Sequence, residues 1–293
     1  MSDVAKPFEE AAGKTVKALS EDVSHAYGGI LDETKSNLHT IADNVEENEK
    51  KTVRKYFVDD EGNVKEIVDG QLKDLSPEDD SGIRGLLDAN RETPGVKSLT
   101  PEEKKELSAN KKSWESLGRT QDKEGEWVES QKLEEPTDLS KAVEEARRAQ
   151  HGGEGDYGGT NYAALHYAST DGKEEFILVG RSSAERSHSE RSIGYPLVHN
   201  KKQFQVDQVY TERRPCQKGS TCERWLNMHM FDPEQNPDLK VTHAVDYDND
   251  IKDTDVRNAP FDRYIDQLES NHASGDYGGT AGSMDFDVDP AAV

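Results

Sequence analysis

Hydrophobic residues Phe8, Ala12, Val16, Leu19, Val23 and Tyr27 recur every three or four positions, and Leu31, Leu38, Ile41 and Val45 continue the pattern beyond Gly28 and Gly29. Stripes of that period lie on one face of a helix, so the pattern predicts a helical hairpin over residues 1–50. Two such helices bury their stripes against each other or against a partner, which makes the segment a docking module. Between Thr52 and Val68 the period drops to two on either side of Asp60-Glu61-Gly62-Asn63, the signature of a short β-hairpin with a glycine-containing turn. From about Leu72 to Pro136 only scattered hydrophobes (Ile83, Leu86, Leu87, Trp114) interrupt Pro, Gly, Lys and Glu. Residues 51–136 therefore read as a short hairpin followed by a largely disordered linker.

Periodicity returns at Thr137, an N-cap ahead of Leu139, Val143 and Ala146 on one helical face that runs to Gln150. The glycine-rich HGGEGDYGGT then breaks the chain. Strand-like runs follow at Asn161 to Ser169 and Glu174 to Gly180, then a helix from His188, a strand from Phe204 to Thr211 and a helix from Cys216. A strand from Lys240 to Tyr247 and a helix from Asp255 to Ser270 complete the series. Strands separated by short helices predict an α/β domain over residues 137–270, with helices packed on the sheet. The closing SGDYGGTAGSMDFDVDPAAV repeats the earlier GDYGG phrase and has no hydrophobic period, which predicts a flexible acidic tail over 271–293.

Composition changes the picture in two ways. With 32% hydrophobic and 33% charged residues, the chain has too little apolar surface for every segment to fold compactly. Its formal net charge of −23 also opposes general binding to a polyanion. Yet between Arg181 and Arg224 nine basic residues stand against five acidic ones, a local +4 where an anionic substrate is welcome. No apolar run approaches the roughly 20 residues that span a bilayer, and MSDVAKPFEE lacks the basic-then-apolar profile of a cleaved signal peptide. The expectation is a chain without a membrane span, cytoplasmic when made, whose export needs another route. Two cysteines exclude a disulfide scaffold and leave three options open: one disulfide, two inert thiols or two metal ligands.

The candidate chemistry lies at two predicted helix starts, with His188 and Glu190 on one and Cys216 and Cys222 on the other. Both follow strand ends, which places them on the same edge of the sheet. One imidazole and two thiolates suit Zn²⁺ and leave a fourth position for water, as in a catalytic site. A helix N-terminus favours the thiolate at Cys216. Glu190, two residues past the histidine, can exchange protons there without joining the ligands.

The strings HSERSIGYPL and VYTERRPCQKGSTC resemble the His-x-Glu and Pro-Cys-x-x-Cys pattern of the cytidine deaminase-like superfamily, and more closely the Xanthomonas-type deaminases of bacterial polymorphic toxins. The resemblance implies a cytidine deaminase-like mixed sheet, zinc held by His188, Cys216 and Cys222, and Glu190 as the proton shuttle. It further implies Asn161 as a nucleotide contact and Tyr210 to Pro215, which includes Thr211, Arg213 and Arg214, as a pocket wall. Arg181, Ser182 and Ser189 are expected near the pocket mouth. Trp225 and Tyr195 either stack on a base or pack a helix on the sheet. The spacing here is C-x5-C where most of the superfamily has C-x2-C, and Gly219 lets the longer loop turn the second sulfur back.

The implied reaction is cytosine to uracil in nucleic acid, DNA favoured over RNA, by a secreted interbacterial toxin that meets an immunity protein. The acidic tail is expected to shield the basic pocket rim. Adenine or a free nucleoside or nucleotide is the rival substrate, and a non-enzymatic scaffold with a structural Cys/His site is the rival of another class. The N-terminal hairpin is similar to small proteins that ride the type VII secretion system, which implies a secretion-system partner, and Tyr56 with Asp60 fits a Tyr-x-x-x-Asp/Glu export signal.

Overall fold

A computed structural model describes residues 53–86, 128–151, 157–184, 186–219 and 221–288. The helical hairpin expected over 1–50 and most of the expected linker, Trp114 included, lie outside the described residues. Backbone contacts separate Met1–Thr52 from Val53–Val293, and every described residue belongs to the second unit.

Eight strands form one mixed sheet: β1 Lys55–Val58, β2 Val64–Val68, β3 Gln71–Asp74, β4 Gln131–Lys132, β5 Tyr162–Ala168, β6 Glu175–Arg181, β7 Val206–Arg213 and β8 Lys240–Val245, in the spatial order β3-β2-β1-β6-β5-β7-β8-β4. Among the described residues there are four α-helices: α1 Asp138–Gln150, α2 Ser189–His199, α3 Cys222–His229 and α4 Thr254–Ala273. Alternation along the central strands divides the core between two faces. Leu165, Leu178 and Val241 pack with Ile193 and Leu197 of α2 and Trp225 and Leu226 of α3. Ala164, Val179 and Ala244 pack with Val143 and Ala146 of α1 and Phe261 and Leu268 of α4. A sheet covered on both faces needs nearly continuous apolar strands, which YAALHYA and EFILVGR supply.

The expected α/β architecture is therefore the observed one, with three differences. The hairpin near residue 60 and the described ends of the expected linker join the domain: β3 and β4 are strands of the sheet, Ile83 and Leu86 are buried in its core, and β1 pairs in parallel with β6, Tyr56 opposite Leu178 and Phe57 opposite Val179. Without β1, the buried run Phe176 to Val179 would end the sheet as a bare apolar edge. Tyr56 and Asp60 serve this junction. Tyr56 is wholly buried and its hydroxyl donates to Asp79 and lies 2.9 Å from the Ser81 hydroxyl, while Asp60 pairs with Arg181 of β6. Second, the helix expected from Cys216 begins at Cys222. Pro215, a left-handed Gly219 (φ 72°) and a left-handed Thr221 (φ 52°) keep the intervening chain out of helical geometry. Third, the tail is packed as far as residue 288. Phe286 is 1% exposed against Tyr264, and the backbone N–H groups of Thr280 and Ala281 donate to Glu144 at 2.9 and 3.2 Å.

Candidate functional site

Strands β6 and β7 flank β5 and run antiparallel to it, so their C-terminal ends and the N-terminal end of β5 share one edge of the sheet. The chain leaves β6 through Ser182 to His188, which N-caps α2, and leaves β7 through Arg214 to Cys216. His188, Cys216 and Cys222 each bring a ligand atom to within 4.8 Å of the others, the one such group among the described residues. Cys216 Sγ lies 3.8 Å from His188 Nδ1 and accepts the Cys222 backbone N–H at 3.3 Å. The N-terminus of α3 thus faces the Cys216 sulfur from outside, although Cys216 is not part of the helix.

These contacts shape the charges. Hydrogen bonding from the Cys222 thiol, then from His188, holds the Cys216 thiol far below its ordinary range. The Cys222 thiol is pushed up, first by Cys216 and then by burial. His188 is raised by its hydrogen bond to Cys216. A thiolate, a second sulfur and an imidazole at this spacing fit a borderline-soft divalent cation, and three protein ligands is the number found in catalytic zinc sites.

Glu190 is buried beside this group, and burial raises its carboxyl pKa above the usual range, with the Cys216 charge second. Ser189 Oγ donates to its Oε2 at 3.3 Å. Ser189 is in turn fixed by Asn161, whose Nδ2 donates to Ser189 Oγ at 2.7 Å and to Thr211 Oγ1 at 2.9 Å, while its Oδ1 accepts the Arg213 N–H at 2.9 Å. Ser182 Oγ accepts the Ser189 N–H at 2.9 Å.

A cavity of about 600 Å³ opens over His188, Glu190 and Cys216. Asn161, Ser182, Arg213 and Arg214 line it. Other expected contacts are placed elsewhere. Arg181 is bound by Asp60 through Nε and Nη2 at 3.1 and 2.5 Å and does not line the cavity. Tyr210 points into the α1/α4 core, Ser189 and Thr211 sit behind the wall holding Asn161, and Pro215 is a buried lead into Cys216. Trp225 packs rather than stacks on a ligand. It meets Tyr195 edge-on at 5.3 Å and lies so close to α2 that a Cβ on Gly194 would fall 2.5 Å from its ring.

Sequence reasoning missed Gly159, Thr160, Lys218, Tyr247 and Asn249, all of which line the cavity. The glycine-rich break at 152–159 was the one available signal. Arg213 arches over Phe261 at 3.9 Å and over Tyr247 at 5.7 Å, and burial lowers its pKa. Among the described residues of the tail, 274–288 do not line the cavity.

A family model described as Xanthomonas-like deaminase matches residues 158–260, a stretch that runs from the cavity wall before β5 into α4 and carries His188, Glu190, Cys216 and Cys222. No curated protein and no solved structure matches the chain. The match supports a deaminase assignment for this part of the chain.

Proposed function

We propose that the chain is a zinc-dependent hydrolase that deaminates cytosine to uracil in nucleic acid, DNA before RNA. One observation carries the reading: the His188, Cys216 and Cys222 ligand atoms converge beside a buried carboxylic acid at the floor of a cavity lined by Arg213, Arg214 and Lys218. Bound by those three residues, zinc would supply Lewis-acid activation of water at neutral pH. Hydrolysis adds water across the N3=C4 bond of the base and expels ammonia: one water proton passes to N3, where uracil keeps it, and the second passes from the C4 hydroxyl to the departing amine, so each step needs a group that moves a proton. Glu190 is suited to carry it. Burial raises its proton affinity, and the Ser189 hydroxyl holds Oε2 in one orientation.

A cavity of this volume accommodates a nucleotide, and the guanidinium groups of Arg213 and Arg214 suit its phosphates. Basic groups at this rim also reconcile a polyanionic substrate with a chain of net charge −23. The reading extends to the setting that the sequence resemblance implies: a secreted toxin, cytoplasmic when made, restrained by an immunity protein and delivered through a secretion-system partner of residues 1–50.

The test is sequencing of genomic DNA and RNA from a bacterium lacking uracil repair that expresses the full chain, beside Glu190→Ala. C-to-T changes that fall roughly 10²–10⁴-fold in the variant are expected, the range for loss of a general acid–base group. A-to-G changes would move the assignment to adenine. Silence in both pools from a folded, zinc-loaded chain would overturn the polymer substrate.

A further inference from the structure

The hexapeptide GDYGGT occurs twice, at 155–160 and 275–280. Both copies meet neighbouring arginines of α1. Arg148 lies over the Tyr277 ring at 3.9 Å, and Arg147 takes hold of the first copy. Arg147 is fully buried. Its Nε and Nη2 donate to Glu212 at 3.0 and 2.6 Å, Nη1 donates to the carbonyls of Tyr157 (2.5 Å) and Gly158 (3.2 Å), and Nη2 donates to that of Thr160 at 2.5 Å. The guanidinium also stacks on Tyr162 at 4.2 Å. Every nitrogen of the planar fork is engaged, a geometry that a lysine ammonium cannot reproduce.

The segment so held is the cavity wall formed by Gly159 and Thr160. A Cβ on Gly158 or Gly159 would meet nothing within 4 Å, so the wall has no side-chain packing of its own there and is held through its carbonyls. Its other end is fixed from α4, where Glu269 accepts the Tyr157 N–H at 3.0 Å and His272 Nδ1 pairs with the Tyr157 hydroxyl at 2.8 Å. The wall in turn touches the basic rim, because Gly159 O accepts from Arg213 Nη2 at 3.4 Å.

We infer that Arg147 is a positioning residue for the substrate: through the Tyr157, Gly158 and Thr160 carbonyls it fixes the wall, and with it Arg213, against which the nucleotide binds. The inference rests on the deaminase reading. It places Arg147 on substrate binding and not on the proton-transfer step, since its own hydrogen bonds go to Glu212 and to the Tyr157, Gly158 and Thr160 carbonyls, not to His188, Glu190 or a cysteine.

The experiment compares the full chain with Arg147→Lys and, because a buried unpaired Glu212 can prevent folding, with the double variant Arg147→Gln/Glu212→Gln. Four quantities are read: thermal midpoint, zinc stoichiometry, amide exchange at Gly159 and Thr160, and kcat and KM on a single-stranded cytosine oligonucleotide. The expected result for folded, zinc-loaded variants is a KM raised roughly tenfold with kcat nearly unchanged, and faster exchange at Gly159 and Thr160 but not in α2. A lowered midpoint with unaltered KM and exchange would overturn the inference and leave Arg147 as a stability residue. A fall in kcat at constant KM would overturn it as well. Should the unsubstituted chain turn over no oligonucleotide, the deaminase reading fails, and the exchange measurement alone decides whether Arg147 holds the wall.

Discussion

Replacing Asn161 with alanine separates two roles for this residue, ligand contact and structural joint, and the structure assigns a magnitude to the second. Its side chain ties the start of β5 to the end of β7 and the start of α2 through three hydrogen bonds of 2.7 to 2.9 Å. Two of the partners can recover in part, since Ser189 Oγ also reaches Glu190 and Thr211 Oγ1 also reaches the Tyr162 carbonyl. The Arg213 N–H, by contrast, is taken up by Asn161 Oδ1 itself at 2.9 Å. Left unsatisfied, this part-buried donor costs from about 1 kcal/mol up to the roughly 3 kcal/mol of a fully buried one, and each partly recovered bond about 0.5 kcal/mol, so Asn161→Ala is expected to destabilise by about 2–4 kcal/mol. For a unit of this size that is a fall of roughly 4–16 °C in the thermal midpoint. Calorimetry with urea titration on the nucleotide-free protein reads it directly. The Ser189 hydroxyl loses its fixed orientation toward Glu190 in the same variant, so turnover falls as well. A destabilisation under about 0.5 kcal/mol, the range of an ordinary surface change, would refute the joint and return Asn161 to a purely ligand-facing role.

Two further predictions concern the ends of the domain away from the cavity. His166 on β5 lies between Asp207 of β7 (2.6 Å) and Glu175 of β6 (3.1 Å), and the hydrogen bond to Asp207, ahead of the other causes, raises its pKa above the ordinary value of 6.5. A folded-state pKa above the unfolded one gives stability that is complete below the unfolded value and is lost as pH rises through the folded one. Urea midpoints should therefore drop between pH 6 and pH values above the folded pKa in the native chain relative to His166→Gln, and parallel curves for the two proteins would contradict this. Phe286→Ala should cost about 3–5 kcal/mol by emptying its seat against Tyr264, whereas a flexible tail would tolerate the change without measurable loss.

The parts of the fold that could be read from sequence were those with local causes. Thr137 announces α1 because its side chain and Ser140 cap each other, at 3.2 and 2.9 Å, and β5 and β6 announce themselves as apolar runs closed by turns. What escaped depended on distant partners. Nothing in KYFV says that β1 will lie parallel to β6, more than a hundred residues away, and nothing near Phe286 says that Tyr264 waits for it. The start of α3 escaped for a different reason. Cys216 follows a proline, and beyond it Gly219 and Thr221 adopt left-handed backbone, a conformation uncommon for threonine, so composition alone favoured an earlier helix.

The same division runs through the site. The grouping of His188, Cys216 and Cys222, which could hold a metal ion, with the buried Glu190 beside them was legible because few residue types suit such a cluster and strand ends bring them to one edge. The walls were not, because a side chain's destination depends on which face its strand presents. Within Tyr210 to Pro215, Tyr210 turns to the core, Thr211 holds Asn161, Glu212 binds Arg147, and only Arg213 and Arg214 reach the cavity. The local excess of basic residues misled for a related reason. Arg181 is committed to Asp60 and Lys202 to Glu174, while Lys218 faces Asp250. A count of charges thus overstates the field a substrate meets; Arg214 keeps only a 3.8 Å approach to Glu223, so Arg213 and Arg214 are the cations whose removal should weaken the proposed binding most.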